Sequence, residues 1–315
     1  GAPRLLQRPV QPLVDALRAA GAHIHYLRQE GYLPLRITGQ PQWRPTAFAI
    51  DASQSSQLLS AILLMAPLLP TGCRVQVLGL TSRSYYALTT ALLARWGYHW
   101  LPEGDSLVLQ PPTAVPTRHT VESDWSAASY WLGLAATRPA VLQLRWLLPD
   151  SLQGDAGQLA IFRQWGMQLR FDADTLLVDS TSCQVAPLDY DFEQMPDLAQ
   201  TFAVLATWAT APSHFTGLHT LPLKETDRIQ ALVAELANLG VDTRATADSL
   251  TIQAVATQAL QRPVATYHDH RFAMSFALLA NKLPSVPIAD PMVVAKSYQA
   301  FWQHLAQLGY GVHWD

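Results

Sequence analysis

Apolar and polar positions along the chain alternate between two kinds of helical pattern, separated by short strand-like runs. The first kind is amphipathic, ends at a glycine and is followed by an alternating, strand-like run. It occurs at residues 9–20 with Gly21 and then 22–27, and at 85–96 with Gly97 and then 98–101. It occurs again before Gly166 and its run 167–171, from Thr226 to Gly240, and at 298–308 with Gly309. In the fourth copy Ile229, Leu232, Val233, Leu236 and Leu239 fall at the 3.6-residue period, so one face is predicted to be core. Thr226 and Asp227 suit its N-cap, and Gly240 sits where a left-handed residue closes a helix. The five glycines are spaced 76, 69, 74 and 69 residues apart, a near-constant period that predicts repeated α/β modules.

The second kind of helix lies between the glycines, at 55–69, 125–136, 197–210 and 271–280. These stretches are dense in alanine, leucine and small residues on nearly every face, which predicts helices buried among sheets. Each module thus holds one buried and one amphipathic helix, with strands such as 74–78 between them. The chain opens on an amphipathic helix with no buried partner before it, so it is expected to begin in mid-module. The proline-rich run 111–116 is the expected linker, with two modules before it and three after it.

Composition narrows the class. At 315 residues the chain is long enough for two lobes. Hydrophobic residues make up 49 % and charged residues only 14 %, yet the longest apolar runs, such as 58–69, fall short of the roughly 18 residues of a membrane span. A net charge of −3 argues against general nucleic-acid binding, so any cationic site must be local. Cys73 and Cys183 form neither a disulfide framework nor a metal-ligand spacing. With no basic-plus-apolar leader in the sequence, a cytoplasmic protein without a membrane partner is expected.

Polar residues gather at helix starts. Lys224 and Arg228 crowd a helix N-terminus, where the macrodipole disfavours cations. Either an outside anion joins them, held by helix amides, ammonium and guanidinium, or they are a solvated helix start with one surface salt bridge. Glu225 between them is a proton carrier or the partner that neutralises the pair. The run 51–57, with Ser53, Ser55 and Ser56, offers hydroxyls and free amides for a phosphate. The run 122–126 reads as acidic capping, and Asp197 in 195–198 as a cap or a base. At 267–272 Arg271 repeats the misfit of Arg228, and His268, Asp269 and His270 lack further ligands at zinc-like spacing. Lys296 with Ser297, opening the last amphipathic helix, and Arg8, just ahead of Pro9, complete a set of cationic helix starts that suggests one basic cleft. No Gly-x-Ser-x-Gly elbow, Gly-x-x-x-x-Gly-Lys loop or Gly-x-Gly-x-x-Gly turn occurs.

The motifs Lys224-Glu225-Thr226-Asp227-Arg228, Asp269-His270-Arg271-Phe272-Ala273-Met274, Ser55-Ser56-Gln57, Arg8-Pro9 and Lys296-Ser297-Tyr298 resemble, in order and over nearly the whole chain, the 5-enolpyruvylshikimate-3-phosphate synthase family. The resemblance implies a two-lobed α/β enolpyruvyl-transferase fold built from βαβαββ modules, with the active site in the cleft between lobes. It implies a transferase that moves the enolpyruvyl group of phosphoenolpyruvate to the 5-hydroxyl of shikimate 3-phosphate, without cofactor or metal, in aromatic amino-acid synthesis. Its partners would be those two small molecules, with no nucleic acid and a monomeric state. Ser55, Ser56 and Ser82 would hold the shikimate phosphate, with Tyr85 beside the ring and Gln57 between the substrates. Arg8, Arg228, Arg271 and Lys296 would bind phosphoenolpyruvate. Asp197, Lys224 and Thr220 would touch the shikimate hydroxyls, Thr220 standing where many relatives have asparagine. Glu225 would face the reacting carbons, so Asp197, Glu225 and Lys224 are the expected catalytic residues.

The family's opening Lys-Ser…Arg stretch and its later Asn-Ala-Gly-Thr…Arg stretch have no counterpart in this sequence. The expectation is therefore an incomplete shikimate-phosphate-binding lobe at 1–118 and a second lobe at 119–315 carrying the phosphoenolpyruvate and acid/base residues. Two alternatives remain: an anion-binding remnant too poor in ligands for turnover, and a UDP-N-acetylglucosamine enolpyruvyl transferase.

Overall fold

A computed structural model of the protein describes residues 3–114, 118–254 and 258–314. Residues 115 and 116 of the expected linker lie outside that set. The chain divides into two compact units, Gly1–Val121 with Leu152–Gly154, and Glu122–Ser151 with Asp155–Asp315.

In the first unit α1 (Gln11–Ala19) leads into the antiparallel pair β1 (His23–Tyr26) and β2 (Leu35–Thr38). A full βαβαββ module follows: β3 (Ala47–Ala52), α2 (Ser56–Leu63), β4 (Arg74–Leu80), α3 (Arg83–Arg95), β5 (Trp100–Glu103) and β6 (Ser106–Leu109). The sheet order is β3-β4-β6-β5, and only β3 and β4 run parallel. Alternation along β3 buries Phe48, Ile50 and Ala52, which pack with Leu59, Ile62 and Val75.

The second unit opens with α4 (Trp125–Thr137), β7 (Val141–Arg145), α5 (Gln158–Gln164), β8 (Gln168–Asp172) and β9 (Thr175–Asp179), the strands in antiparallel order β7-β9-β8. A second full module comprises β10 (Asp189–Asp191), α6 (Ala199–Leu205), β11 (Ser213–Thr216), α7 (Arg228–Ala237), β12 (Thr243–Ala245) and β13 (Leu250–Ile252). Its order, β10-β11-β13-β12 with one parallel pair, repeats that of the first unit strand for strand. The helices α8 (His270–Phe276) and α9 (Phe301–Gln307) complete the unit.

The periodic glycines Gly21, Gly97, Gly166, Gly240 and Gly309 all adopt positive φ, between 73° and 90°, where a side chain would be strained. As predicted, α4, α6 and α8 are almost wholly buried and pack on one another. Their small residues admit close approach, and a chain of hydroxyls joins them: Ser129 Oγ to Thr201 Oγ1 at 3.0 Å, and on to Ser275 Oγ at 3.3 Å.

Three expectations need correction. The stretch 55–69 is not one buried helix: α2 ends at Leu63, Pro67 limits the rest to a short 3-10 turn, and Leu64 and Leu68 are exposed. Lys296 does not open a helix; it ends a 3-10 turn, Pro291–Lys296, and α9 begins only at Phe301. Arg8 precedes α1 by more than a residue, since that helix starts at Gln11 with Val10 as its N-cap.

Candidate functional site

In both full modules the loops that follow the two parallel strands lie side by side, the place where α/β folds hold ligands. In the second unit β10 leads to Asp197, and β11 leads to Thr220, Lys224, Glu225 and Arg228. Gly217, at φ 69°, lets the loops meet: a Cβ there would stand 2.0 Å from Asp191 Oδ1 and 2.6 Å from the Glu193 amide. Pro222 confines the next residues to a 3-10 turn, Leu221–Leu223, and Asp227 then caps α7 by accepting from the Gln230 amide at 3.1 Å.

Arg228 is the hub. It is 1 % exposed, and each guanidinium nitrogen meets a different carboxylate. Nε donates to Asp269 Oδ2 at 2.7 Å, Nη1 to Asp197 Oδ1 at 2.8 Å, and Nη2 to Glu225 Oε2 at 2.8 Å. The cationic helix start is thus balanced by carboxylates of the chain itself, and it is buried rather than a solvated surface salt bridge. Asp197 also accepts from Arg271 Nη2 at 3.0 Å and lies 3.4 Å from Lys224 Nζ. Burial opposes its charge, but Arg271, Lys224 and Arg228 together hold its carboxyl well below the usual range. Asp269, fully buried, caps α8 by accepting from the Arg271 amide at 3.0 Å. Arg271 Nη1 reaches the buried Tyr130 hydroxyl at 3.5 Å, and Lys296 Nζ donates to the His268 carbonyl.

The sequence reading missed several members of this cluster. Asp269 and Tyr130 shape it, and Asp155, also buried, stands within electrostatic reach of Asp197, Arg271 and Lys224. Burial first, and Asp197 second, push the Asp155 carboxyl up to about 7. His270 lies beside Asp269 with its pKa lowered by burial and by Arg271. The Thr220 hydroxyl, at the same loop, is buried and has no hydrogen-bond partner among the described residues.

In the first unit α2 and α3 begin at the carboxyl ends of the parallel strands β3 and β4. Ser55 and Ser56 stand at the first start, and Ser82, buried and left-handed at φ 46°, at the second. Gly79 plays the part of Gly217, packed so closely that a Cβ would sit 3.1 Å from Ser53 Cβ and 3.2 Å from Asp51 Oδ1. The Ser56 hydroxyl is buried without a partner among the described residues, and Ser55 supplies the N-cap position. Tyr85 is half-buried in the first turn of α3, and Gln57 is exposed. Arg8 follows the 3-10 turn Pro3–Gln7. The structure thus brings Asp197, Lys224, Glu225, Arg228 and Arg271 into one cluster, and places Ser55, Ser56 and Ser82 beyond the carboxyl ends of the adjacent parallel strands β3 and β4. No group of three or more potential metal ligands occurs among the described residues.

The fold is that of the enolpyruvyl transferases. A solved structure of EPSP synthase from Acinetobacter baumannii superposes with a TM-score of 0.73 over 97 % of this chain and 72 % of that one, at 24 % identity. The enolpyruvyl transferase NikO from Streptomyces tendae gives 0.67 at 16 % identity. In sequence, residues 1–305 match the family model of EPSP synthase (3-phosphoshikimate 1-carboxyvinyltransferase). A 3-phosphoshikimate 1-carboxyvinyltransferase of Bacteroides fragilis is 40 % identical over 99 % of this chain and 77 % of its own length. One from Syntrophobacter fumaroxidans is 38 % identical over 98 % and 73 %. The chain belongs to the EPSP synthase family.

Proposed function

We propose that the protein transfers the enolpyruvyl group of phosphoenolpyruvate to the 5-hydroxyl of shikimate 3-phosphate and releases phosphate. The observation that carries this reading is the Asp197 carboxylate gripped by Arg228, Arg271 and Lys224, with Glu225 on the same guanidinium. Addition of the hydroxyl to C2 needs a proton at C3, and elimination of phosphate needs that proton back. Glu225, half-buried and within the cluster, is suited to that exchange. Asp197 accepts from the attacking hydroxyl, and Lys224 stands by it. So depressed a carboxyl is a weak base until its cations are drawn away. An arriving phosphate or carboxylate competes for Arg228 and Arg271, which frees Asp197 as the charge develops. In this reading Ser55, Ser56 and Ser82 bind the shikimate phosphate, with Tyr85 beside the ring and Gln57 between the substrates. Arg8, Arg228, Arg271 and Lys296 bind phosphoenolpyruvate, and Thr220 takes a shikimate hydroxyl.

The test is phosphate release from phosphoenolpyruvate with either acceptor. Release with shikimate 3-phosphate, silence with UDP-N-acetylglucosamine, and a loss of about 10²-fold or more in Glu225→Gln are expected. Release with the sugar nucleotide alone overturns the acceptor assignment. Binding of both ligands without release supports an anion-binding role instead.

A further inference from the structure

Glu235 lies on α7 seven residues beyond Arg228, hence on the same face of the helix, yet it is wholly buried and outside the cluster just described. Its carboxylate is fully engaged by one segment of chain. Arg262 donates to it twice, at 2.8 and 3.0 Å, the Ala265 amide once at 3.3 Å, and the Tyr267 hydroxyl once at 2.6 Å. One turn on, Asn238 accepts from the amides of Gln261 and Arg262, both at 3.1 Å, and donates to the Arg262 carbonyl at 3.0 Å. The segment 261–269 is therefore fastened to α7 at one end by Glu235 and Asn238, and at the other by the Arg228–Asp269 pair.

Between the two fastenings the backbone turns through Tyr267 and His268, both left-handed at φ 54° and 57°. Neither residue favours that conformation, so surrounding contacts must impose it. The corner determines where Asp269 meets Arg228 and where the His268 carbonyl receives Lys296. We propose that Glu235, acting through the Tyr267 hydroxyl, is a positioning residue that holds this corner and so sets the arrangement of Arg228, Arg271 and Lys296. The role rests on the reading of those three cations as phosphoenolpyruvate ligands. It bears more on phosphoenolpyruvate than on shikimate 3-phosphate, because the serines read as shikimate-phosphate ligands belong to the other unit and only the hydroxyl contacts of Asp197, Lys224 and Thr220 share this one.

Calorimetric titration of the whole chain measures both affinities: shikimate 3-phosphate alone, and phosphoenolpyruvate with shikimate 3-phosphate saturating. Tyr267→Phe removes one hydroxyl and should weaken phosphoenolpyruvate about tenfold, the worth of one hydrogen bond to a charged group. Shikimate 3-phosphate affinity should fall by clearly less than phosphoenolpyruvate affinity does. Glu235→Gln, which keeps an acceptor for Tyr267, should fall between Tyr267→Phe and the unaltered protein. Leu236→Val, a core change on the same helix, should lower the melting temperature without altering the ratio of the two affinities. If Tyr267→Phe weakens both ligands equally, or neither, the positioning role is overturned while the site reading stands. A chain that binds neither ligand overturns the site reading, and the positioning role with it.

Discussion

Arg228 Nε and Asp269 Oδ2 meet at 2.7 Å, 41 residues apart in sequence, with both side chains sealed from water. A buried pair of this kind is costly to break, because the survivor keeps its charge without its partner. Arg228→Ala should cost about 3–5 kcal/mol of stability in urea unfolding. Arg228→Lys keeps the charge but cannot satisfy three carboxylates with one ammonium, so it should fall between the two. A loss below about 1 kcal/mol for Arg228→Ala would mean that Asp269 finds another partner or a proton.

Thr220 leads to the opposite expectation. Its hydroxyl is buried without a partner among the described residues, so Thr220→Val removes a polar group that no hydrogen bond within the chain compensates. The melting temperature should hold or rise, while shikimate 3-phosphate binds about fivefold to tenfold more weakly. A drop in melting temperature would show that the hydroxyl has a structural partner.

Asp155 gives the site a pH signature. Its folded-state pKa of about 7 stands above the ordinary carboxylate value, so the folded chain binds more protons than the unfolded one between roughly pH 4 and 7. Its contribution therefore lowers stability as pH rises through that window, and the loss persists above it. Asp155→Asn should melt higher than the unaltered protein at pH 8, with the gap closing towards pH 4. Equal melting temperatures at pH 8 would show that Asp155 ionises in place without penalty.

Gly217 admits no side chain. Gly217→Ala would place a methyl 2.0 Å from Asp191 Oδ1 on a backbone at φ 69°, where alanine is already strained. Because Asp191 ends β10 and the Glu193 amide lies in the loop that follows it, relief requires the two neighbouring segments to part. The variant should lose at least about 2 kcal/mol in urea unfolding and bind phosphoenolpyruvate more weakly. Gly309→Ala, with nothing near its Cβ, should show only the backbone penalty of about 1 kcal/mol and leave binding unchanged.

Local features of the chain were legible where a single residue or period decides them. The left-handed glycines, the Asp227 and Asp124 caps and the apolar faces of α4 and α6 follow from nearest-neighbour chemistry. Pairings between distant residues left no such mark. Glu235 reads as a polar interruption of the α7 stripe until Arg262 and Tyr267 are brought to it. Whether Arg228 and Lys224 await an anion stayed open in sequence because Asp197 reaches them from the preceding loop, 31 residues before Arg228, and Asp269 from beyond their module. Lys296 was misplaced because a proline-led 3-10 turn and a following helix look alike over six residues. The cluster residues carried over from the family resemblance meet in space; the carboxylates that balance them had no local signal.

The twin close approaches at Gly79 and Gly217 bear on how such a chain can change. Each lets two neighbouring segments of a module approach where a Cβ would intrude, while residues further along the same loops are free to differ. One module carries hydroxyls there, Ser55 and Ser82, and the other carries acid and base, Asp197 and Lys224. A spacing held independently of its cargo is tolerant to substitution: new side chains can be tried on either loop without renegotiating the distance between them. Diversification of chemistry on this frame is therefore expected to run through the loop residues, while the two glycines stay as they are.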